Sequence, residues 1–337
     1  PASSPGDFEA VCAVASAVRA SEVAALARAV RDDIVAAAEA LKIAKHPVLH
    51  VVFGVSDIHL EHKYAIGRAE ALRRISEAVR EARRHVANVQ FSLEDATRSD
   101  RVFMRQVVET AIDSGANRIN IADTVGCALP EEFGVRIADA VQVSNGRAMV
   151  SAHCHDDIGF ASANSLAAIL WGATQVEVAV NGIGERAGNA SLEEVVVTCA
   201  VKGLASTCIR LSMLQQASAM TSERAGVAVQ PNKAIVGSNA FAHSSGIHQD
   251  GIVKHRPTYE FVAPETVGVN GHRFVLTARS GRAAVGHEVK RLGFGFDRDQ
   301  IDEVYKRFVD AADRESADAL RGRFEVIVRD VAALQTV

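Results

Sequence analysis

Ala148-Met-Val-Ser-Ala-His153, a helical stretch from Ala161 to Trp171, and Gln175-Val-Glu-Val-Ala-Val180 together decide the fold. A short apolar strand, a helix and a second short apolar strand make one βαβ unit, whose two strands run parallel. Upstream the same figure repeats. Strand-like runs stand at Val23–Ala27, Val48–Phe53, Val89–Ser92 and Arg118–Ala122. Helical patterns fall near Asp32–Leu41, Ala65–Arg84, Val102–Ser114 and Pro130–Val141, and one more follows near Leu192–Leu204. A further helix, capped by Asp7 and running to about Val18, precedes the first strand. These readings rest on hydrophobic period and on Gly, Pro and capping residues.

Six strands, each followed by a helix, imply a parallel sheet covered by helices. Two closures compete, an open doubly wound sheet and an eight-stranded barrel. Polar residues gather just after several different strands: Ser92 and Glu94, Asn120 and Thr124, His153 and His155, then Asn189. Chemistry drawn from many strand ends is the habit of a TIM barrel. The expected fold is therefore an α/β TIM-type (β/α)8 barrel missing its first strands, about one and a half βα units. It occupies residues 1–207, followed by a linker subdomain over 208–256 and a helical subdomain over 257–337.

Composition narrows the function classes. Of the 337 residues, 48% are apolar and 23% charged, and the net charge is −4. No basic field is available for nucleic acid or an anionic membrane, and no apolar run approaches a membrane span. Five cysteines without CxxC spacing suit reduced thiols in a cytoplasm. Pro1-Ala-Ser-Ser-Pro-Gly6 has neither a cationic region nor an apolar core, so it is no signal peptide. It reads as a loop inside something longer, or as a processed or engineered start.

Two stretches carry chemistry. In Ser151-Ala-His153-Cys-His155, residues i and i+2 share one face of a strand, so both imidazoles point the same way. Such a pair takes one divalent metal, or serves as two hydrogen-bonding histidines. In Asn181-Gly-Ile-Gly-Glu-Arg-Ala-Gly-Asn189, glycines allow close backbone approach ahead of a helix. It is not a dinucleotide loop, because it lacks G-x-G-x-x-G and follows the last strand.

Together these stretches resemble the 2-isopropylmalate synthase family. Further matches are Ser56-Asp-Ile-His59, Phe91-Ser-Leu-Glu94-Asp-Ala, Asn120-Ile-Ala-Asp-Thr124 and Gln230-Pro-Asn-Lys-Ala-Ile-Val-Gly237. Ser245-Gly-Ile-His248-Gln-Asp-Gly and Arg256-Pro-Thr-Tyr259 complete the series over nearly the whole chain. The resemblance implies a Claisen condensation of acetyl-CoA with a 2-oxo acid, 3-methyl-2-oxobutanoate above all, yielding 2-isopropylmalate and CoA in leucine biosynthesis. It implies a divalent metal (Zn²⁺, Mn²⁺ or Mg²⁺) on His153, His155 and Asn189. It implies catalysis by Glu94, His248 and Tyr259, and an oxo-acid pocket of His50, Ser92, Asn120 and Thr124. A homodimer follows, its linker region crossing to the partner barrel.

Departures from the family pattern leave alternatives open. The family's Asp-Thr-Thr-Leu-Arg-Asp-Gly, which supplies a metal-binding Asp and an enolate-stabilising Arg, has no counterpart here, nor does a leucine-binding regulatory domain. Asp156 stands where relatives have Asn, Ala122 where they have Pro, and Thr277-Ala-Arg279-Ser-Gly-Arg282 where they have Gly-Lys-x-Ser-Gly-Arg. Ala122 lies beside the pocket, so the preferred oxo acid is expected to shift. A truncated non-catalytic paralogue and a related lyase or synthase (homocitrate, citramalate or alkylmalate type) are the competing readings.

Overall fold

Val89, Phe91 and Leu93 alternate with Gln90, Ser92 and Glu94, so their strand has one apolar and one polar face. That alternation recurs through the first of two units, Pro1–Thr207 and Cys208–Val337. The computed structural model describes residues 1–315 and 317–334. The first unit runs α1 (Pro5–Ala17), β1 (Val23–Arg28), α2 (Arg31–Leu41), β2 (Pro47–Gly54), α3 (Arg68–His85), β3 (Asn88–Glu94) and α4 (Arg101–Asp113). It continues with β4 (Arg118–Asp123), α5 (Pro130–Ser144), β5 (Met149–Cys154), α6 (Ala161–Leu170), β6 (Gln175–Glu177) and α7 (Leu192–Lys202).

All six strands are parallel and lie in chain order, β1 to β6. A doubly wound sheet reverses its order at a switch point. This one never does, which is the progression of a barrel. It is also curled. Gln90 on β3 donates to Glu177 on β6 at 2.5 Å, and Gln175 on β6 donates to Gln90 at 2.9 Å. Three flat strand spacings would hold β3 and β6 about 14 Å apart. Leu49, Val51, Phe91, Leu93, Ile119 and Ile121 are fully buried on the other face, in one core with Ile34, Ile75, Phe103 and Ile137 from the helices. Each such side chain contributes about 1.5–3 kcal/mol of burial.

Local details differ from the sequence reading in two places. Ser4, not Asp7, caps α1: its Oγ accepts from the Asp7 backbone N–H at 3.1 Å, and Pro5 takes the first helical position. β6 stops after three residues, because Val180–Gly182 turns into a 3-10 helix with Asn181 in the left-handed region. A π-helical turn, His59–Tyr64, follows β2.

The second unit holds α8 (Leu214–Ala225), β7 (Ala242–His243), α9 (Gly246–Lys254), β8 (Arg273–Phe274), α10 (Arg282–Arg291), α11 (Arg298–Ala312) and α12 (Ala317–Ala333). β7 and β8 pair in parallel. Buried Gln249 on α9 donates to the His243 and Val275 carbonyls and so ties the helix to that ladder. Asp297 and Gln300 form a reciprocal cap at the start of α11. Val285, Val289, Val304, Phe308, Phe324 and Val328 close a separate core. Among the described residues, no helix is long and apolar enough to cross a membrane.

Candidate active site

The polar face of the sheet collects side chains from five strands. Parallel register sets Ser92, Asn120, Ser151 and Gln175 in one row, and Ala122, His153 and Glu177 in another. Ser92 Oγ lies 2.5 Å from His50 Nε2 and accepts from Asn120 Nδ2 at 2.8 Å. Burial pushes the His50 pKa down, against the pull of the Glu177 charge, which favours a neutral ring beside the Ser92 hydroxyl. Asn120 Oδ1 is buried with no partner among the described residues. Three of the four expected pocket residues therefore touch in a chain, His50 to Ser92 to Asn120. Thr124 sits apart, beyond β4, where its Oγ1 accepts from the Asp95 N–H at 2.8 Å.

His153 and His155 leave the end of β5 on one face, as their spacing requires. Their Nε2 atoms are 3.1 Å apart and their rings edge-on. Two lone pairs at that distance repel and two N–H groups clash, so a proton or a cation belongs between them. Two nitrogens on one Zn²⁺ at about 2.0–2.1 Å each would stand about 3.0–3.4 Å apart. The observed separation fits. Asn189 arrives from 34 residues downstream in sequence, as an antiparallel bridge partner of His155. Ala190 N–H donates to Cys154 O and Asp156 N–H to Gly188 O, which pins the loop along β5. Asn189 Nδ2 donates to Ile183 O at 3.1 Å, while its Oδ1 is buried and unpartnered among the described residues. A side chain at Gly188 would collide with the Gly182 carbonyl, and its φ of 102° is itself a glycine conformation.

The backbone bridge brings Asn189 alongside His155, and two imidazole nitrogens with a carboxamide oxygen are donor types that a divalent cation accepts. Among the described residues, no three His, Cys, Asp or Glu side chains are grouped to hold a metal; the third donor here is a carboxamide. Burial first, then His153 and Arg186, pushes the His155 pKa down, which keeps its ring neutral and available as a ligand.

Glu94 ends β3 and meets two groups that sequence reasoning missed. Lys63 Nζ binds it at 2.8 and 2.7 Å, and His59 Nδ1 lies 3.8 Å away. Burial is the largest single effect and would lower the Lys63 pKa, but the hydrogen bond and charge of Glu94, with Tyr64, together outweigh it and the net shift is upward. Both residues come from the π-helical turn, which no residue period announces. Glu177 was missed as well. Its signal was legible: a carboxylate inside the apolar strand Val176-Glu-Val178. Burial raises its pKa, yet contacts with His153, His50 and Gln90 bring it below the ordinary carboxylate value.

In the second unit, His248 and Tyr259 are brought together. Their rings stack with centroids 4.0 Å apart at 22°, both exposed. Gly251 makes this possible, since a side chain there would strike the Tyr259 ring. Glu260, next in sequence, is held by Arg256 at 2.8 Å and lies 2.8 Å from His272 Nδ1.

A family model described as HMGL-like matches residues 1–221, and one described as homocitrate synthase post-HMGL domain-like matches residues 235–316. A 2-isopropylmalate synthase of Parabacteroides distasonis is 46% identical over 319 residues, covering 94% of this chain and 64% of the relative. One from Aquifex aeolicus is 47% identical, covering 93% and 62%. The chain thus spans a little under two thirds of the length of these relatives. Among solved structures, hydroxymethylglutaryl-CoA lyase of Pseudomonas aeruginosa superposes with a TM-score of 0.57 at 20% identity, over 67% of this chain and 76% of that one. The HMG-CoA lyase of Brucella melitensis gives 0.55 at 18%, over 65% and 79%. These two likenesses concern the fold.

Proposed function

Because the chain belongs to the HMGL-like family, whose model spans its first 221 residues, we propose that it is the catalytic part of an acyltransferase condensing acetyl-CoA with a 2-oxo acid. The favoured acid is 3-methyl-2-oxobutanoate and the product 2-isopropylmalate, as the names of the relatives suggest. The carrying observation is the pair of imidazole nitrogens 3.1 Å apart, with Asn189, whose carboxamide oxygen has no partner among the described residues, bridged to His155 through the backbone. His153, His155 and Asn189 hold the divalent metal, with Zn²⁺, Mn²⁺ and Mg²⁺ as candidates. When bound, it supplies Lewis acidity toward a ketone oxygen and its developing charge.

The chain's own residues do the rest. Ser92 and Asn120 offer hydrogen bonds to the oxo acid, and neutral His50 fixes the direction of the Ser92 hydroxyl. Glu94, His248 and Tyr259 move the protons: one leaves the acetyl methyl group, and others are exchanged in thioester hydrolysis. His248 and Tyr259 stack as one unit, which suits a shared role. We assign the working form to a homodimer, this pair serving the barrel of a partner subunit, in the cytoplasm that five unpaired thiols suit. Ala122 stands opposite His153 in register, so its side chain bears on which acid fits.

The test is thiol release from acetyl-CoA by the intact protein that carries this chain, with Mn²⁺ and a panel of 2-oxo acids. The fastest release is expected with 3-methyl-2-oxobutanoate; no thiol with any acid overturns the reading. His155→Ala is expected to take bound metal from about one ion per chain to none. Unchanged content in elemental analysis removes His155 from the ligand set.

A further inference from the structure

Glu177 is a partly buried carboxylate on the polar face to which the proposed chemistry gives no task. It stands opposite His153 in the β5–β6 register. Its Oε2 lies 3.2 Å from His153 Nδ1 and accepts from Asn120 Nδ2 at 3.3 Å. Its Oε1 accepts from Gln90 Nε2 at 2.5 Å. Donors on both oxygens call for the ionised, acceptor-only form. Gln90 is itself held by Gln175 at 2.9 Å, so the carboxylate has little freedom to turn.

His153 Nδ1 is buried and closes no well-aligned hydrogen bond among the described residues; the carboxylate at ion-pair distance from it is Glu177. A neutral imidazole has one proton, and the nitrogen that faces a carboxylate keeps it. His155 Nδ1 is likewise buried without a hydrogen-bond partner among the described residues, but no carboxylate among them pairs with it as Glu177 does with His153. The two rings are therefore unequal, since one has a carboxylate 3.2 Å from its Nδ1 and the other has none at ion-pair distance among the described residues.

We propose that Glu177 is a positioning residue that fixes His153 with its proton on Nδ1, so that the Nε2 lone pair faces His155 and a cation between them. This rests on the reading of the two histidines as metal ligands. The same carboxylate joins the ligand to the oxo-acid pocket. Asn120 divides its amide between Ser92 and Glu177, and Gln90 Nε2 stands 3.2 Å from His50 Nε2.

The experiment measures Mn²⁺ and Zn²⁺ affinity of the full chain by competition with a chelating indicator, for wild type, Glu177→Gln and His153→Ala. Alongside, long-range ¹⁵N correlation spectra of the metal-free wild type report which nitrogen of His153 carries the proton. Glu177→Gln is expected to weaken both metals by about 10- to 100-fold, and wild-type His153 to be protonated on Nδ1. Unchanged affinity in Glu177→Gln, or a proton on Nε2, overturns the proposal. His153→Ala separates the two failures. If it leaves affinity unchanged, the metal-site reading falls and takes this inference with it. If His153→Ala loses metal while Glu177→Gln does not, the positioning role alone falls. Should Glu177→Gln fail to fold, the wild-type tautomer decides.

Discussion

The two faces of the six-stranded sheet carry opposite chemistry on the same strands. On β3, Phe91 and Leu93 are sealed against helices, while Gln90 and Ser92, one residue away, are equally out of water yet joined in hydrogen bonds. On β5, Ala152 and Cys154 turn outward to the helices, and Ser151 and His153 turn inward. Burial alone therefore says little about what a residue does here. The apolar face gains its stability from area removed from water, without regard to direction. The polar face is directional, since a buried polar atom left without a partner costs about 1–3 kcal/mol. Yet Asn120 and Asn189 each keep one oxygen unpartnered among the described residues. Such orphans mark where an external group is expected.

Substitutions on the two faces sharpen or break this contrast. Phe91→Ala empties a fully buried site on the helix side, and we expect it to cost about 3–5 kcal/mol of stability in urea unfolding. A cost below about 1 kcal/mol would mean that the helix side is not what holds the sheet. Ser92→Ala, its neighbour on the other face, is expected to lose only about 0.5–1.5 kcal/mol. It should raise KM for the 2-oxo acid about tenfold, the equivalent of one hydrogen bond. A large stability loss with KM unchanged would make Ser92 structural and dissolve the distinction. Arg186→Ala breaks a half-exposed clamp on Asp157 and the Thr124 carbonyl. The expected cost is under about 1 kcal/mol, with metal content unchanged by elemental analysis; lost metal would instead make the clamp part of the site.

Much of the architecture was legible because strand period and strand end coincide with chemistry. Short apolar runs such as Val48–Phe53 are dictated by the helix-facing side, and all six appear as strands, five of them near their expected bounds and β6 three residues short. The His153–His155 spacing announced a shared face for the same reason. What the sequence could not display is proximity across the curled interior. Gln90 and Glu177 are 87 residues apart and meet only because the sheet bends. Nor does a residue pattern distinguish a π-helical turn from an α-helical one, so Lys63 reached Glu94 unannounced. The Ser4 cap was hidden by a competing candidate three residues on, Asp7, whose own N–H is what Ser4 receives.

That turn bears on how this chain tolerates length changes. A π-helical segment is one residue wider per turn than its α-helical counterpart, and here it ends at Ala65 in a left-handed conformation. Deleting a single residue between His59 and Tyr64 would let the segment relax into ordinary helix. Each side chain of the turn beyond the cut would swing by about 100° around the axis. The ammonium on Glu94 and the phenol stacked on Phe53 would then face new directions with every residue type unchanged. A one-codon deletion in this hexapeptide would thus rewrite the charge environment of a proposed catalytic acid, while leaving the barrel strands where they are.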